Sequence, residues 1–582
     1  MIALVLDAAV IILAAVLLLI AATGGIDLDL GVLGVRLHGW TRPLALLALA
    51  ISVRVWMARR TSTFAPSGAT ADKPVAPVAP AAPIAPIAPI APIAPIAVRA
   101  MLALLIATAG VYLQHHVRVA GGLDSYGYVS AAHLLASGRL REAQPIVDHL
   151  PFENPMRAAA PLGHVPSTDG RTSVPRFPLG LPLVMAIFAM FGRSGPFFVP
   201  LVMACAATVA AYLLARDPAS AGSLRHVPGL FAATLVAVDP LFAAYAIQPM
   251  SDVPATAWLL ASVWLSTKGN REGSRGFFEG IAAGICAGMA VLTRPVLLPA
   301  VSVLVIMTRR KEGSRNLLVG GTVAVCIALQ FALNFALYGS LGASGYGSLA
   351  HMFELSPSRA MANVSNFGKW LTYSHTAIFW LLWPIAMFVL RRRKRAWQIS
   401  AVAAAAAVPY LFYVVFDDWE SSRFLLPSIA LILILFAHSL AHLSSPSHLF
   451  MLVMAFTCAT ASHRFLERQG IYRLPTLEAK YALVGDWFKA NTSERSVVLA
   501  GLHSGTIGLY GGRATVRWDQ IPESALTATL KSLTDAGYEP YLALDLPSEP
   551  ALFDERFKHQ ALHLEQIARV RVVNIYRFVS AY

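Results

Sequence analysis

Apolar runs of about the length that crosses a bilayer recur along this chain from its first residues to about residue 464. The hydrocarbon core of a bilayer accommodates about 20 apolar residues in helical form. Of the 582 residues, 56% are hydrophobic and only 13% are charged, whereas a soluble protein carries about 25% charged residues. The sequence therefore predicts a polytopic α-helical membrane protein.

Composition divides the chain into four regions. Residues 1–60 hold two predicted spans, and the first has no basic residues ahead of its apolar stretch. It therefore differs from a cleaved signal peptide, and we expect it to be retained. Residues 61–97 form an Ala/Pro-rich linker, in which proline at every third position of the repeat predicts an extended polyproline II tether. Residues 98–464 form a membrane core, and residues 465–582 have the composition of a soluble domain.

The core opens with an apolar run at about residue 98, and further runs follow it. They lie near residues 196–215, 228–248, 252–267, 277–293, 295–309, 316–338, 373–390, 397–416, 423–443 and 447–464. Segment 179–191 is too short to cross a bilayer by itself, so we expect an interfacial or half-inserted helix there. Together with the two N-terminal spans, these runs predict about thirteen spans.

Basic residues cluster between the apolar runs and set the predicted orientation. The clusters are Arg54/Arg59/Arg60, Arg216/Arg225, Lys268/Arg271/Arg275, Arg309/Arg310/Lys311/Arg315 and residues 391–395. Placing all of them in the cytoplasm satisfies the positive-inside rule. Loops 118–178 and 339–372 and the region after residue 465 then lie outside. Because anchoring explains the formal net charge of +14, membrane lipid is an expected partner and nucleic acid is not.

The region from 465 to 582 alternates predicted helices with predicted strands. The helices are expected at 476–490 and 523–536, and the strands at 496–500, 514–518, 541–545 and 570–576. This alternation predicts a small α/β domain. The four cysteines of the chain all lie inside apolar runs without CxxC spacing, so we expect neither disulfides nor a zinc site.

Loop 118–178 places an acid directly after a predicted span. Asp124 follows two glycines and is flanked by Tyr126 and Tyr128. A carboxylate at the lipid–water boundary is well placed to act as a base. It can also cap the helix predicted at residues 125–138, and the two roles are compatible.

Arg176 and Asp252 have two interpretations each. Arg176 lies in the proline-rich turn by which the chain re-enters the membrane, where it can make a forked contact with a phosphate or snorkel to the interface. Asp252 starts a predicted span at its outer end, as a helix cap or as a functional carboxylate.

Two further arginines are predicted at the outer face. Arg294 lies in a tight turn between two spans. Arg423 follows three acids, Asp417, Asp418 and Glu420, and a structural salt bridge with one of them is the plain alternative to a functional role.

Loop 339–372 combines glycines, aromatics and amides around Tyr346. This composition suits a mobile lid that binds a sugar. An ordinary connector with interfacial aromatic residues accounts for it equally well.

The order of these motifs resembles the GT-C superfamily of membrane glycosyltransferases, near the protein O-mannosyltransferase and lipid A aminoarabinose transferase branches. The resemblance covers about residues 98–464. It rests on a series of motifs: the acid with tyrosines at 124–128, Arg-Phe-Pro-Leu-Gly-Leu-Pro-Leu at 176–183, Ser-Asp-Val-Pro at 251–254, Leu-Thr-Arg-Pro at 292–295 and Ser-Ser-Arg-Phe-Leu-Leu-Pro at 421–427. The stretch 503–513 is similar to the extracytoplasmic domains appended to bacterial members.

The resemblance implies a GT-C-like core with an extracytoplasmic C-terminal domain in a bacterial inner membrane. It also implies an inverting transferase that moves a hexose or pentose from a polyprenyl-phosphate donor to a lipid, glycan or protein acceptor. Asp124 would be the base and Asp252 a second acidic site. Arg176 would bind the donor phosphate, with Arg294 and Arg423 as further candidates. Tyr126, Tyr128, Tyr346 and Glu153 are candidate substrate-loop residues.

Ser125 stands where many members carry a second acid. A role for adjacent carboxylates is therefore in doubt, and a divalent metal ion is an open alternative rather than an expected cofactor. Asp148, His149 or Glu153 could substitute for that acid. The main rival function is a transporter or flippase of lipid-linked or polar cargo, but the chain shows no inverted repeat and its candidate residues lie at span ends. A scaffold whose C-terminal domain binds partners would leave the outer acids and arginines without a purpose.

Overall fold

The computed structural model describes residues 26–29, 34–37, 95–216, 226–267, 274–308, 313–347, 349–442 and 447–579. The two predicted N-terminal spans and most of the proline-rich linker lie outside these residues. Strands β1 (Ile26–Asp29) and β2 (Gly34–Leu37) pair antiparallel. The last residues of the predicted linker belong to a helix, since α1 begins at Pro95. Proline suits the first turn of a helix because the N–H that it lacks has no partner there anyway.

Helices account for most of the region up to residue 468. In chain order they are α1 (Pro95–Gln114), α2 (Asp124–Ala136), α3 (Met156–Ala159), α4 (Gly180–Ala189), α5 (Val199–Ala215), α6 (Val227–Val238), α7 (Pro240–Ala246), α8 (Asp252–Thr267), α9 (Ser274–Thr293), α10 (Leu298–Thr308), α11 (Gly313–Tyr338), α12 (Leu349–Met352), α13 (Pro357–His375), α14 (Phe379–Leu390), α15 (Lys394–Leu411), α16 (Leu426–Leu440) and α17 (Ser447–Arg468). Within loop 118–178, strands β3 (Glu142–Ala143), β4 (His164–Pro166) and β5 (Thr172–Pro175) form a small antiparallel sheet.

Among the described residues, six helices are long and apolar enough to cross a membrane. They are α1, α5, α9, α11, α16 and α17, with short extensions at α5 and α16. Two bent pairs, α6–α7 at 65° and α13–α14 at 92°, raise the number to eight if each pair is one span. The predicted total of about thirteen therefore stays a prediction. Helix α4 is ten residues long and rises only about 15 Å, which agrees with the expectation that segment 179–191 does not span.

The spans form an inner and an outer group. In the most apolar stretches of α16 and α5, 78% and 67% of the residues are buried, against 17%, 11% and 17% in α1, α11 and α17. Because the outer three helices expose large apolar side chains such as Ile106, Leu317 and Phe456, they suit contact with lipid tails. The inner group carries the ends at which the predicted site residues lie.

Helices α9 and α11 approach closely through small residues. A side-chain carbon at Gly284 would lie 2.6 Å from Thr322, and one at Gly288 would overlap Cys326. Small residues spaced by four along a helix allow two backbones to pack in this way. Cys326 therefore serves as a packing residue, and all four cysteines of the chain are free.

The C-terminal domain (residues 474–579) is an α/β domain. Its helices are α18 (Leu474–Asn491), α19 (Ser504–Thr506), α20 (Leu526–Asp535) and α21 (Ser548–Phe557), and its strands are β6 (Ser496–Ala500), β7 (Ala514–Val516), β8 (Glu539–Asp545), β9 (Leu564–Val570) and β10 (Val573–Phe578). The strand order is β7-β6-β8-β10-β9, with β6, β7 and β8 parallel and β10 antiparallel to both of its neighbours.

Most predicted elements of this domain are present, with three differences. The strand expected at 570–576 straddles the turn between β9 and β10, because both strands are rich in β-formers. Helix α21 was not expected, since its polar sequence has no clear apolar period. Helix α17 continues to Arg468, so the predicted boundary at residue 465 falls within its last turn.

Loop 118–178 packs into the C-terminal domain rather than standing alone. Ile146, Leu150 and Met156 belong to the same buried apolar cluster as Leu499 and Leu542 of the sheet. The Arg517 amide donates to the Ala158 carbonyl at 2.7 Å. The loop and the domain thus share one core.

Loop 339–372 is helical over much of its length, because α13 starts at Pro357. Asn363 on this helix donates to the carbonyls of Leu411 and Tyr413 at 3.0 and 2.9 Å. These bonds attach α13 to the end of α15, so the Asn363 amide has a structural role.

Candidate functional site

Two acids and two arginines from four separate segments meet at one end of the inner helices. We call Asp124, Arg423, Asp252 and Arg294 the charge cluster. The Arg423 guanidinium lies 3.0 Å from the Asp124 carboxylate and 3.9 Å from that of Asp252. Arg294 lies 2.5 Å from Asp252. The charges therefore alternate in sign from Asp124 to Arg294.

Asp124 is the first residue of α2 and does not cap it. No side chain caps the start of this helix, and the Asp124 carboxylate accepts a hydrogen bond from Arg423 instead. The helix N-terminus and the guanidinium both favour a negative charge at this position. The Asp124 side chain is 29% exposed, so one face of the carboxylate remains open to a ligand.

Asp252 is enclosed between the two arginines. Its side chain is only 1% exposed, which leaves no room for direct contact with a substrate. A buried carboxylate needs compensating partners, and Arg294 and Arg423 supply them. The structure thus separates the two predicted acids into one that is open and one that is enclosed.

Arg294 is held by a network of hydroxyls. Its Nε donates to Ser251 Oγ at 3.2 Å and its Nη1 to the Tyr410 hydroxyl at 3.4 Å. Tyr128, one helical turn after Asp124 on the same face of α2, donates to Ser251 at 2.9 Å. Burial raises the pKa of Tyr128, so its hydroxyl stays protonated and acts as a donor.

Aromatic rings fix the plane of the Arg423 guanidinium. Its central carbon lies 5.1 Å from the Tyr245 ring centroid and 5.4 Å from that of Phe424. Arg294 lies 5.5 Å from the same Phe424 ring. Cation–π contacts of this kind hold a guanidinium in one orientation.

Among its described contacts, Arg423 makes no salt bridge with the acids that closely precede it in the sequence. Asp417 accepts from Lys369 and Trp370, and Asp418 accepts from the Ser421 amide. Glu420 contributes only its carbonyl, which accepts from Tyr245 at 3.5 Å. Arg423 therefore forms its salt bridges with Asp124 and Asp252 of the charge cluster rather than with these acids.

Arg176 is linked to the charge cluster through Tyr346 and has spare hydrogen-bonding capacity. Its guanidinium carbon is 5.8 Å from the Tyr346 ring centroid, and its backbone leaves no space for a side chain at Gly345. The Nε atom of Arg176, like that of Arg423, is buried without a hydrogen-bond partner. Unlike Arg294 and Arg423, it has no ion pair among the described residues.

The remaining predicted residues lie at different distances from this centre. Tyr346 packs edge-on against Phe177, and burial, with Tyr128 and Asp124 nearby, raises its pKa. The Tyr126 ring points away and leaves no space for a side chain at Gly505 of the C-terminal domain. Glu153 is exposed, in the part of loop 118–178 that packs on that domain.

The residues near Asp124 do not form a metal site. Within the described ranges, no group of three or more His, Cys, Asp or Glu side chains is placed to hold a metal ion. Ser125 stands at the position where many GT-C members carry a second acid. Its hydroxyl points to the Met250 sulfur at 3.8 Å. The carboxylates of Asp124 and Asp252 are engaged by arginines, so no step is assigned to a metal.

Four residues of the site were not expected from the sequence. Ser251 and Phe424 are sequence neighbours of the predicted residues Asp252 and Arg423, and this adjacency was the signal that could have identified them. Tyr245 and Tyr410 lie inside apolar runs, where a tyrosine looks like an interfacial or core residue. Only the folded chain brings them to the arginines.

Comparisons with known proteins concern the membrane core and the fold. Residues 174–333 match the family described as dolichyl-phosphate-mannose-protein mannosyltransferase. No curated protein matches the sequence.

Two crystal structures of ArnT from Cupriavidus metallidurans share the fold. The structure bound to undecaprenyl phosphate aligns with a TM-score of 0.54 at 13% identity over 84% of this chain and 99% of that one. The apo structure aligns with a TM-score of 0.50 at 13% identity over 82% of this chain and 98% of that one. The chain thus resembles the mannosyltransferase family over the matched segment and shares the fold of ArnT.

Proposed function

We propose that this chain transfers a hexose or pentose from a polyprenyl-phosphate donor to a hydroxyl or amine of a lipid, glycan or protein acceptor, on the extracytoplasmic face of the membrane. The observation that carries this proposal is the open carboxylate of Asp124, held by Arg423 at the start of α2. The resemblance to ArnT bound to undecaprenyl phosphate supports the class of donor. Nothing in the comparisons favours a transporter.

Asp124 is proposed to be the general base. The guanidinium of Arg423 orients the Asp124 carboxylate at the start of α2, and only one of its oxygens, Oδ2, accepts a hydrogen bond from Arg423. The other oxygen is available to accept the proton of an acceptor hydroxyl or amine. Asp252 is too deeply enclosed for this role and instead orients both arginines.

Arg176 is proposed to contact the donor phosphate. Asp124 and Asp252 balance the charges of Arg423 and Arg294, whereas Arg176 brings a positive charge that no described carboxylate compensates. A phosphate would satisfy the buried Nε of Arg176 and its charge at once. Arg294 and Arg423 remain further candidates for contact with the departing phosphate, through N–H groups that the carboxylates leave free.

The reaction is a single displacement. The acceptor oxygen or nitrogen bonds to the anomeric carbon, the bond from that carbon to the phosphate oxygen breaks, and the acceptor proton passes to Asp124. The polyprenyl phosphate leaves as the anion. Attack opposite to the leaving group inverts the anomeric configuration, so no covalent sugar–enzyme intermediate is formed.

Turnover of the purified protein in vesicles tests this assignment. The vesicles would contain polyprenyl-phosphate hexoses and pentoses with a labelled sugar, and the Asp124→Asn variant would be compared with Asp148→Asn. Asp148 is a matched control because it lies in the same loop, exposed and 3.8 Å from Arg171. We expect Asp124→Asn to lose transfer and Asp148→Asn to keep it. Full transfer by Asp124→Asn would contradict the proposal, and movement of labelled lipid without a product would favour a transporter.

A further inference from the structure

The main chain just before Asp124 is held by the C-terminal domain. The Ala120 amide donates to the Tyr510 hydroxyl at 2.9 Å. The Tyr481 hydroxyl lies against Gly122, 3.6 Å from the position that a side-chain carbon would take there. Two tyrosines thus engage alternate residues immediately ahead of the proposed base, although they lie more than 350 positions later in the sequence.

The two glycines before Asp124 make this contact possible. A side-chain carbon at Gly121 would overlap the ring of Tyr481 and the carboxylate of Glu478. Gly122 has a φ of +58°, a conformation that favours glycine. The Gly-Gly pair is therefore explained by the approach of the C-terminal domain and by the turn into α2.

The same domain also holds the chain on the other side of Asp124. The Ser504 hydroxyl accepts from the Leu162 amide at 3.0 Å, and Tyr126 packs against Gly505. Two hydroxyls of this domain, those of Tyr510 and Ser504, thus accept main-chain N–H groups of loop 118–178. Such bonds fix the path of a backbone, because the N–H group has no freedom to move independently of the chain.

A buried polar cluster supports Tyr481 from behind. The Tyr481 ring lies 4.6 Å from the ring of His503, and His503 and Lys480 contact Asp545 at 3.2 and 2.5 Å. His503 and Asp545 follow β6 and end β8, at the carboxyl ends of two adjacent parallel strands. The ring is therefore carried by helix α18 and packs against the carboxyl edge of the sheet.

We propose that Tyr481 and Tyr510 are positioning residues for sugar transfer, and that the C-terminal domain aligns Asp124 through them. This inference rests on the proposed role of Asp124. The tyrosine hydroxyls do not touch the charge cluster; they act through the backbone of residues 120–122. The C-terminal domain is then part of the catalytic architecture, independently of any contact that it makes with an acceptor.

The test uses the full-length protein in lipid nanodiscs with Tyr481→Phe, Tyr510→Phe and the double variant. Phenylalanine keeps the ring packing and removes only the hydroxyl. Tyr576→Phe is the matched control, since Tyr576 accepts from Asn574 at 3.1 Å on the far side of the sheet. Hydrogen exchange of residues 117–125, single-turnover transfer and binding of undecaprenyl phosphate are measured for each variant.

We expect the double variant to exchange residues 117–125 at least about tenfold faster, which corresponds to one lost buried hydrogen bond. Transfer should fall by about tenfold to a hundredfold through misplacement of the base. The affinity for undecaprenyl phosphate should stay within about twofold of the wild type. General unfolding would lower both transfer and binding, so this combination separates the two causes. Tyr576→Phe should match the wild type throughout.

Unchanged exchange and turnover in the double variant would overturn the inference, even if Asp124→Asn is inactive. Conversely, faster exchange with an active Asp124→Asn would keep the backbone contact and overturn the role of Asp124. If the double variant fails to fold, Ser504→Ala and the two single variants provide the same readouts with smaller perturbations. Exchange unchanged in all of these variants would overturn the inference as well.

Discussion

Two paired carboxylates at helix ends, Asp124 and Asp239, differ in how completely they are satisfied. Asp124 accepts one hydrogen bond, from Arg423 at 3.0 Å, and is 29% exposed. Asp239 lies 2.6 Å from His375 and is 2% exposed. Its other oxygen accepts from the Phe242 amide at 2.8 Å, which caps α7. Both acids pair with a basic side chain, but Asp124 keeps one oxygen open, whereas both oxygens of Asp239 are occupied.

Asp239 and His375, which we call the saturated pair, connect the two bent helix pairs of the core. Asp239 lies where α6 and α7 meet at 65°, and His375 ends α13, just before the 92° bend into α14. Each break frees backbone groups that need partners in an apolar medium. The Asp239–His375 contact fastens one bend to the other. We infer a structural role for this pair and a chemical one for Asp124.

Loss of the Asp124 charge tests this difference most strongly. Asp124→Asn should lower transfer by about a hundredfold to ten-thousandfold, which is the usual contribution of a general base. Its stability should change by about 1 kcal/mol or less, because a partly exposed ion pair contributes little. Thermal unfolding in detergent, measured beside turnover, checks both expectations. A large loss of stability would show that Asp124 resembles Asp239 after all.

The sequence predicts the charge cluster better than the saturated pair, for a physical reason. Asp124, Asp252, Arg294 and Arg423 stand at the ends of apolar runs, where a charge is conspicuous. Asp239 and His375 lie within apolar runs, and nothing local shows that both runs bend at these residues. Sequence reasoning also treated loop 118–178 and the C-terminal domain as separate regions, because their shared core joins residues more than 300 positions apart.

Asp239→Asn should lower stability and largely keep turnover, the reverse of what is expected for Asp124→Asn. Asparagine keeps the cap on α7 but loses the charged contact with His375. Breaking a buried pair of this kind costs about 3 kcal/mol. The folded fraction should retain turnover within a few-fold, since α7 still carries Tyr245 to Arg423. A normal melting temperature in this variant would refute the structural role.

His164 provides a third, pH-dependent case of a saturated group. Its ring nitrogens contact Ser130 and Ser173 at 3.0 and 3.2 Å, and burial lowers its pKa to about 4. The unfolded chain, with a histidine pKa of about 6.5, therefore binds this proton first. Stability should fall as the pH drops from about 6.5 towards 4, by up to about 3 kcal/mol.

His164→Gln should remove most of this slope. Glu142, 3.8 Å from the same ring, has a pKa raised by burial and opposes the trend. Because the pKa values of His116, His133 and His503 are also lowered by burial, the difference in slope between wild type and variant, measured between pH 5 and 7, reports the histidine. Identical slopes in the variant and the wild type would assign the effect to another group.

Arg176 and Arg294 differ in the same way as the two carboxylates, in how completely their hydrogen-bonding groups are satisfied. Arg294 is saturated by Asp252, Ser251 and Tyr410, whereas the Nε of Arg176 has no partner. Arg176→Lys keeps the charge but loses the forked geometry, so undecaprenyl phosphate affinity should fall by about tenfold. Arg294→Lys should instead reduce stability, because it leaves Asp252 and two hydroxyls with poorer partners. Equal affinity losses in the two variants, measured by titration in nanodiscs, would show that an unsatisfied guanidinium does not mark the phosphate site.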